Sequence, residues 1–87
     1  MNDDAIDERR VRWHSRRGML ELDLVLMPFA EQVYPGLDNV DKLRYRMLLE
    51  CEDVDLFAWI VHREPVREPE LVYIMGLVLD HGRARIE

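Results

Sequence analysis

Only one stretch of this 87-residue chain alternates apolar and polar residues, Leu20-Glu21-Leu22-Asp23-Leu24. A strand needs a second strand to satisfy its backbone, and no second alternating run is there to pair with it. A sheet is thereby excluded, and the segment from about Met19 to Val33 is expected to be helical. Pro28 falls inside it. Proline removes a backbone donor and crowds the preceding turn, so Pro28 should start a new helical piece or kink the old one.

The remaining apolar residues recur at helical spacing between local breaks at Gly18, Tyr34-Pro35-Gly36, Glu64-Pro65 and Glu68-Pro69, with His81-Gly82 closing the last periodic segment. Val40, Leu43, Met47, Leu48 and Cys51 form one stripe, with Asp38 placed to cap its helix and Asp41 in the first turn. Leu56, Phe57, Ile60 and Val61 form a second, with Asp53 as its cap. Leu71, Ile74, Met75, Val78 and Leu79 form a third behind Pro69, with Arg83 and Arg85 at its negative end. The segment from Asp4 to Arg17 is expected to be a helix anchored by Ile6 and Trp13. The sum is an all-α chain: a compact five-helix bundle, one domain over residues 1–87.

Size and charge narrow the function. A chain of 10.4 kDa holds about 5–8 kcal/mol of stability. A cavity of roughly 300–1,000 Å³ would hollow out much of its core. Twelve basic against eighteen acidic residues leave a net charge of −6, which disfavours general binding to nucleic acid or to an anionic membrane surface. The single cysteine, Cys51, forms no internal disulfide and sits on an apolar stripe, as a small hydrophobe would. His14, His62 and His81 lie in three separate segments with no ligand spacing, so no metal site is expected. Ser15 is the only serine, threonine is absent, and the four glycines are isolated; neither a nucleophile with its base nor a phosphate loop is present, and no catalytic residue is assigned. The opening MNDDAIDERR lacks the apolar core of a secretory signal. The longest apolar run, Leu24 to Ala30, is far below the ~20 residues of a membrane span. A soluble, cytoplasmic protein is the expectation.

The segment that stands out is Arg9-Arg10-Val11-Arg12-Trp13-His14-Ser15-Arg16-Arg17-Gly18-Met19-Leu20-Glu21. Residues 1–17 carry five arginines and four acids, leaving seven basic and fourteen acidic residues for the rest. Charge is therefore polarised, with one arginine-rich edge on an acidic body. Arg10, His14 and Arg17 share a helical face. Arg9 and Arg16 flank Trp13 at cation–π spacing. Three readings fit this edge. It is a solvated helix whose last turn is rich in arginine and whose left-handed cap is Gly18; or a protein-docking edge, since Arg, Trp and Met concentrate in interfaces and glycine admits close approach; or a nucleic-acid contact, opposed by the acidic remainder.

Arg17-Gly18-Met19-Leu20-Glu21 resembles the RGxxE motif of the SdhE/YgfY family of succinate dehydrogenase assembly factors. The likeness extends through Trp13 to Asp23 (W-x-x-RRGMxELD), through Met27-Pro28-Phe29, and through Leu48 to Trp59 (LLE-x-x-D-x-DLF-x-W). It covers residues 9–79, and Ser15 and Val54 fall at variable places. The resemblance implies a five-helix bundle. It implies a non-enzymatic factor that binds the flavoprotein subunit of succinate dehydrogenase, or of fumarate reductase, and promotes covalent attachment of FAD to a histidine of that subunit. It places the partner-binding surface at Arg17, Gly18 and Glu21, with Arg10 and Met19 in the same patch and Phe57 and Trp59 in packing roles. FAD acts on the partner; none is expected to stay bound here, and the free protein is expected to be a monomer. The rivals are a small adaptor or toxin-neutralising protein using the same edge for an unrelated partner, and a regulatory nucleic-acid binder.

Overall fold

The computed structural model describes residues 3–86, with side chains described from residue 4 to residue 83. Five helices follow in order: α1 (Asp3–Ser15), α2 (Leu20–Gln32), α3 (Asn39–Leu49), α4 (Asp53–Ile60) and α5 (Pro69–Ile86), with a 3₁₀ turn at Tyr34–Gly36. No strand occurs among the described residues, as the lone alternating run implied. None of these helices is long and apolar enough to cross a membrane.

Helix α2 lies at the centre, packed against α1, α4 and α5, while α3 packs on α5. Its buried residues are Leu22, Leu26, Phe29 and Ala30, spaced i, i+4, i+7 and i+8. The apparent strand alternation dissolves on this helix, because Leu22 points inward while Leu20 and Leu24 are 69% and 59% exposed. Of the two outcomes expected at Pro28, a new helical piece does not occur: α2 is one helix from Leu20 to Gln32 with Pro28 inside it. The carbonyl that loses its donor is that of Leu24, on the exposed side.

Helix α3 is capped as its sequence implied, with the Asp38 carboxylate accepting from the Asp41 N–H at 2.8 Å. Its inward face differs from the expected stripe. Val40, Leu43 and Met47 are exposed; Leu48 is buried and Cys51 packs on the core as expected, and Tyr45 and Leu49 join them inside. Tyr45 wins the interior because its hydroxyl finds partners. It lies 2.8 Å from the Ser15 hydroxyl and 3.3 Å from the Leu26 carbonyl, while its ring packs on Phe29 and Tyr34 at 5.0 and 5.6 Å. Burial pushes the Tyr45 phenol far above its ordinary ionisation range, so it stays a neutral donor.

Helix α1 also docks differently. Ile6 and Trp13 are 42% and 75% exposed, so neither is an anchor. Val11 and Ser15 are the buried residues, and the Ser15 hydroxyl donates to the Val11 carbonyl at 2.7 Å. Near the other end of α1, Asp7 accepts from the Tyr34 hydroxyl at 2.6 Å, and Arg46 of α3 donates to the same hydroxyl at 2.8 Å. Burial first, and then the bond to Asp7, push the Tyr34 phenol up to about 12.

In α4 the expected apolar face is largely present: Leu56 and Ile60 are buried and Phe57 packs on the core, although Val61 is exposed. Asp53 is not its cap. That place is taken by Glu52, and Asp53 is the first helical residue. Helix α5 buries Leu71, Ile74, Met75 and Val78, with Leu79 packed alongside. It does not end at Gly82 but continues to Ile86. Gly82 is buried against Val25, whose methyl groups would meet an added Cβ at 3.5 and 3.7 Å. Arg83 pairs with Asp80 at 3.4 Å; the side chain of Arg85 lies outside the described residues.

A braced corner between α1 and α2

Helix α1 stops at Ser15, and the Arg16 N–H turns back to the Trp13 carbonyl at 3.2 Å. Gly18 is thus three residues past the helix and is no C-cap; it sits in the turn with φ +80°. The turn is pinned from both sides. The Arg17 N–H donates to the Asp23 carboxylate at 2.7 Å, and the Asp23 N–H donates to the Met19 carbonyl at 2.9 Å. Asp23 therefore serves the corner from the first turn of α2, where a carboxylate also complements the helix dipole.

Beneath the corner lies the Arg17 side chain, only 11% exposed. Its Nε donates to Asp53 Oδ1 at 2.7 Å, its Nη2 to the Cys51 carbonyl at 2.8 Å, and its Nη1 to the Leu49 carbonyl at 2.8 Å and the His14 carbonyl at 3.2 Å. Leu49 ends α3 and His14 lies in the last turn of α1, so these carbonyls lack onward helical donors. One guanidinium therefore satisfies the negative ends of two helices and pairs with a carboxylate at the start of a third. Lysine, with a compact ammonium, has no fork of that span. Cys51 packs partly against the core, and burial raises its thiol pKa, which makes it a poor nucleophile.

The five residues expected to form the docking edge thus separate into layers. Gly18 and Glu21 are exposed, and Glu21 makes no side-chain hydrogen bond or ion pair among the described residues. An added Cβ at Gly18 would meet no atom within 4 Å. Met19 is half-buried and lines an open groove of about 540 Å³ with Val54, Phe57, Ala58, His62 and Glu64. Arg10 is exposed on α1. Arg17 is the exception, turned inward and occupied by its own chain. It does not share a helical face with Arg10 and His14, because it lies beyond the end of α1. No cation sits over the Trp13 ring among the described residues, so the expected flanking by Arg9 and Arg16 is not formed.

Sequence reasoning missed Asp23, Asp53 and the Ser15–Tyr45 pair. Two of these had a visible signal. Asp23 closes the first of the two motif blocks and Asp53 lies inside the second; both converge on Arg17, stitching together segments 36 residues apart. Ser15 had none, since a lone serine in an arginine-rich stretch reads as solvated.

Among the described residues, no group of three His, Cys, Asp or Glu is placed to hold a metal ion. The arrangement offers a rigid, outward-facing corner, with no enclosed cavity among the depressions beside it.

Comparison with known proteins matches residues 9–81 to a family described as "flavinator of succinate dehydrogenase". Relatives called "FAD assembly factor SdhE" cover most of both chains. That of Pseudomonas aeruginosa is 49% identical over 77 residues, 88% of this chain and 92% of the relative. That of Shewanella oneidensis is 49% identical over 75 residues, 86% and 89%. That of Yersinia pseudotuberculosis is 38% identical over 79 residues, 91% and 90%. The match takes in α1 from Arg9, the whole braced corner and both motif blocks, and the chain belongs to the flavinator of succinate dehydrogenase family.

Proposed function

We propose that this protein is an assembly factor that docks its α1–α2 corner on the flavoprotein subunit of succinate dehydrogenase, or of fumarate reductase, and promotes covalent attachment of FAD there. The observation that carries the reading is Gly18. It is exposed and left-handed, and a Cβ there would meet no atom outside its chain neighbours within 4 Å, so the backbone of this turn is open to close approach by a partner. Glu21, one helical turn further on, offers a carboxylate with no internal partner for charge-assisted hydrogen bonds. Met19 and Arg10 extend the contact on either side. Arg17 contributes from below by holding the corner in one conformation.

The contribution is positional. A partner held in the geometry that attachment requires needs less rearrangement to react. The chain itself makes and breaks no bond, holds no FAD of its own, contacts neither membrane nor nucleic acid, and works as a monomer in the cytoplasm until it meets its partner.

Co-expression with the flavoprotein subunit tests this, with covalent flavin read as in-gel fluorescence. Gly18→Arg and Glu21→Ala should each reduce covalent flavin while the helical circular dichroism spectrum is retained. Full flavinylation by both variants, or loss of fold in step with loss of flavin, overturns the reading.

A further inference from the structure

Helix α1 presents a second feature that neither the fold nor the corner uses. Arg9, Arg12 and Trp13 recur at i, i+3 and i+4 on α1 and therefore share one stripe, and Arg16, just past the helix end, lines the same depression as Trp13. Arg9 and Arg16 are exposed, Arg12 is half-exposed, and Trp13 is 75% exposed. Among the described residues none of the three arginines forms an ion pair. From Arg9 to Arg17 the chain holds five arginines and no acid, whereas residues 18–87 hold fourteen acids and seven bases. At its C-terminal end the stripe opens into a depression of about 320 Å³, lined by Trp13, His14, Arg16, Arg17 and Asp53. Of its lining residues, Arg17 directly precedes Gly18 in the chain.

We infer that this stripe is a docking surface for an acidic segment of the flavoprotein partner, with Trp13 as its apolar anchor and Arg9, Arg12 and Arg16 as its charged rim. The inference rests on the proposed docking of the corner and extends it along α1. Charge complementarity selects the occupant. A carboxylate-rich segment is attracted to this one face and repelled by the acidic remainder, so it finds the molecule in a single orientation. That orientation delivers Gly18 to the partner. The open indole supplies what the arginines do not, namely buried area of the kind that dominates interface energetics. In the free protein such an indole stays in water with no compensating contact. Nucleic acid fits the arginines but not the acidic body next to them.

The test measures binding of the full-length protein to the purified apo flavoprotein subunit of succinate dehydrogenase, at low and high salt. Arg9→Glu combined with Arg16→Glu should slow association about tenfold at low salt, and much less at high salt, where rim charges are screened. Trp13→Ala should speed dissociation about tenfold with little change in association. In a Trp59→Phe background Trp13 is the sole indole, and its emission should shift to the blue when the flavoprotein binds. Unchanged rates and salt dependence in the arginine variant, with an unmoved Trp13 emission, overturn the inference. If Gly18→Arg still abolishes binding in that case, the corner stands and only the stripe falls; if Gly18→Arg binds normally, the docking reading falls too. The stripe is equally overturned if Trp13 emission shifts with the protein's own concentration alone. It also falls if the arginine variant loses only retention on phosphatidylserine vesicles or duplex DNA.

Discussion

Two corners of this bundle turn through left-handed backbone, and they do so with different residues. Between α1 and α2 the residue is Gly18, at φ +80°; between α4 and α5 it is Arg63, at φ +58°. The second corner closes on its own helix, with the Glu64 N–H reaching back over Arg63 to the Ala58 carbonyl at 3.0 Å and the His62 N–H to the Phe57 carbonyl at 3.3 Å. Backbone hydrogen bonds suffice there to hold an arginine in a conformation that costs an L-residue about 1–2 kcal/mol. The first corner is held by side chains, through Arg17, Asp23 and Asp53, and carries no side chain of its own at its apex. The fold tolerates a Cβ at one left-handed corner at a cost, and at the other an added Cβ would meet no atom outside its chain neighbours within 4 Å, so crowding does not demand glycine at position 18, while its left-handed backbone favours it. What separates the two corners is that the first leaves a bare, exposed turn, which is the surface the proposed docking uses.

The largest expected effect separates shape from strain at position 18. Gly18→Ala and Gly18→Arg impose the same left-handed penalty, about 1–2 kcal/mol in urea unfolding. They differ in what they put into the space above the corner. Gly18→Arg should weaken affinity for the flavoprotein at least tenfold, because a long side chain there clashes with whatever the partner seats on the bare turn, and a tenfold loss corresponds to about 1.4 kcal/mol. Gly18→Ala should be intermediate. Equal losses from both variants would mean that backbone conformation, and not bareness, is what the partner reads, and the contrast with Arg63 would collapse.

Next in its effect on docking, though larger in stability, is the brace. Arg17→Ala leaves the Leu49, Cys51 and His14 carbonyls without their shared donor and Asp53 without its cation. Hydrogen bonds to a charged group are worth about 1.5–3 kcal/mol each where buried. Partial exposure of the pair, with Asp53 at 44%, and water entering the vacated space reduce the total to about 2–4 kcal/mol. Urea unfolding checks it. Loss of stability together with loss of docking marks Arg17 as the support. Glu21→Ala, by contrast, should lose docking with stability changed by less than about 0.5 kcal/mol. Were Arg17→Ala as stable as the parent chain, the division between supporting and contacting residues would be wrong.

Why this division was hidden in the sequence is a matter of chain distance. RGxxE reads as one exposed motif because its residues are neighbours in sequence, yet three of the groups that hold the Arg17 side chain lie 32 to 36 residues away, at the end of α3 and the start of α4. No periodicity reports that. Helix ends signalled by local chemistry were legible: the Asp38 cap, Pro69 opening α5, and the Leu71–Val78 stripe. Errors fell where polarity misleads. Tyr45 was passed over for Val40 and Leu43 on α3, and Ser15 for Trp13 on α1, because a hydroxyl looks solvent-bound until its buried partner is known. Asp53 looks like a cap in the sequence, since its neighbours show only the start of a helix and not the guanidinium arriving from the α1–α2 corner.

A smaller effect is expected at Asp53. Asp53→Asn keeps an oxygen acceptor for Arg17 Nε but removes the charge of a half-exposed pair, which should cost about 1 kcal/mol. Rescue by Asp53→Glu, whose carboxylate sits one methylene further out, should be partial. A cost near zero for Asp53→Asn would assign the brace to the three carbonyls alone.

The smallest effect returns to the second corner. Arg63→Gly relieves left-handed strain of about 1–2 kcal/mol but frees the unfolded chain, at a cost of about 0.5–1 kcal/mol. Stability should therefore rise by at most about 1.5 kcal/mol, and flavoprotein affinity should not change. The first half of that expectation checks whether Arg63 is strained at all. The second half is sharper, because it asks whether glycine at a left-handed corner matters by itself. If Arg63→Gly altered docking as strongly as a substitution at Gly18, the partner would be reading both corners, and the contact surface would have to extend past the Met19 groove, along α4 and its Glu64 rim, to the far end of that helix.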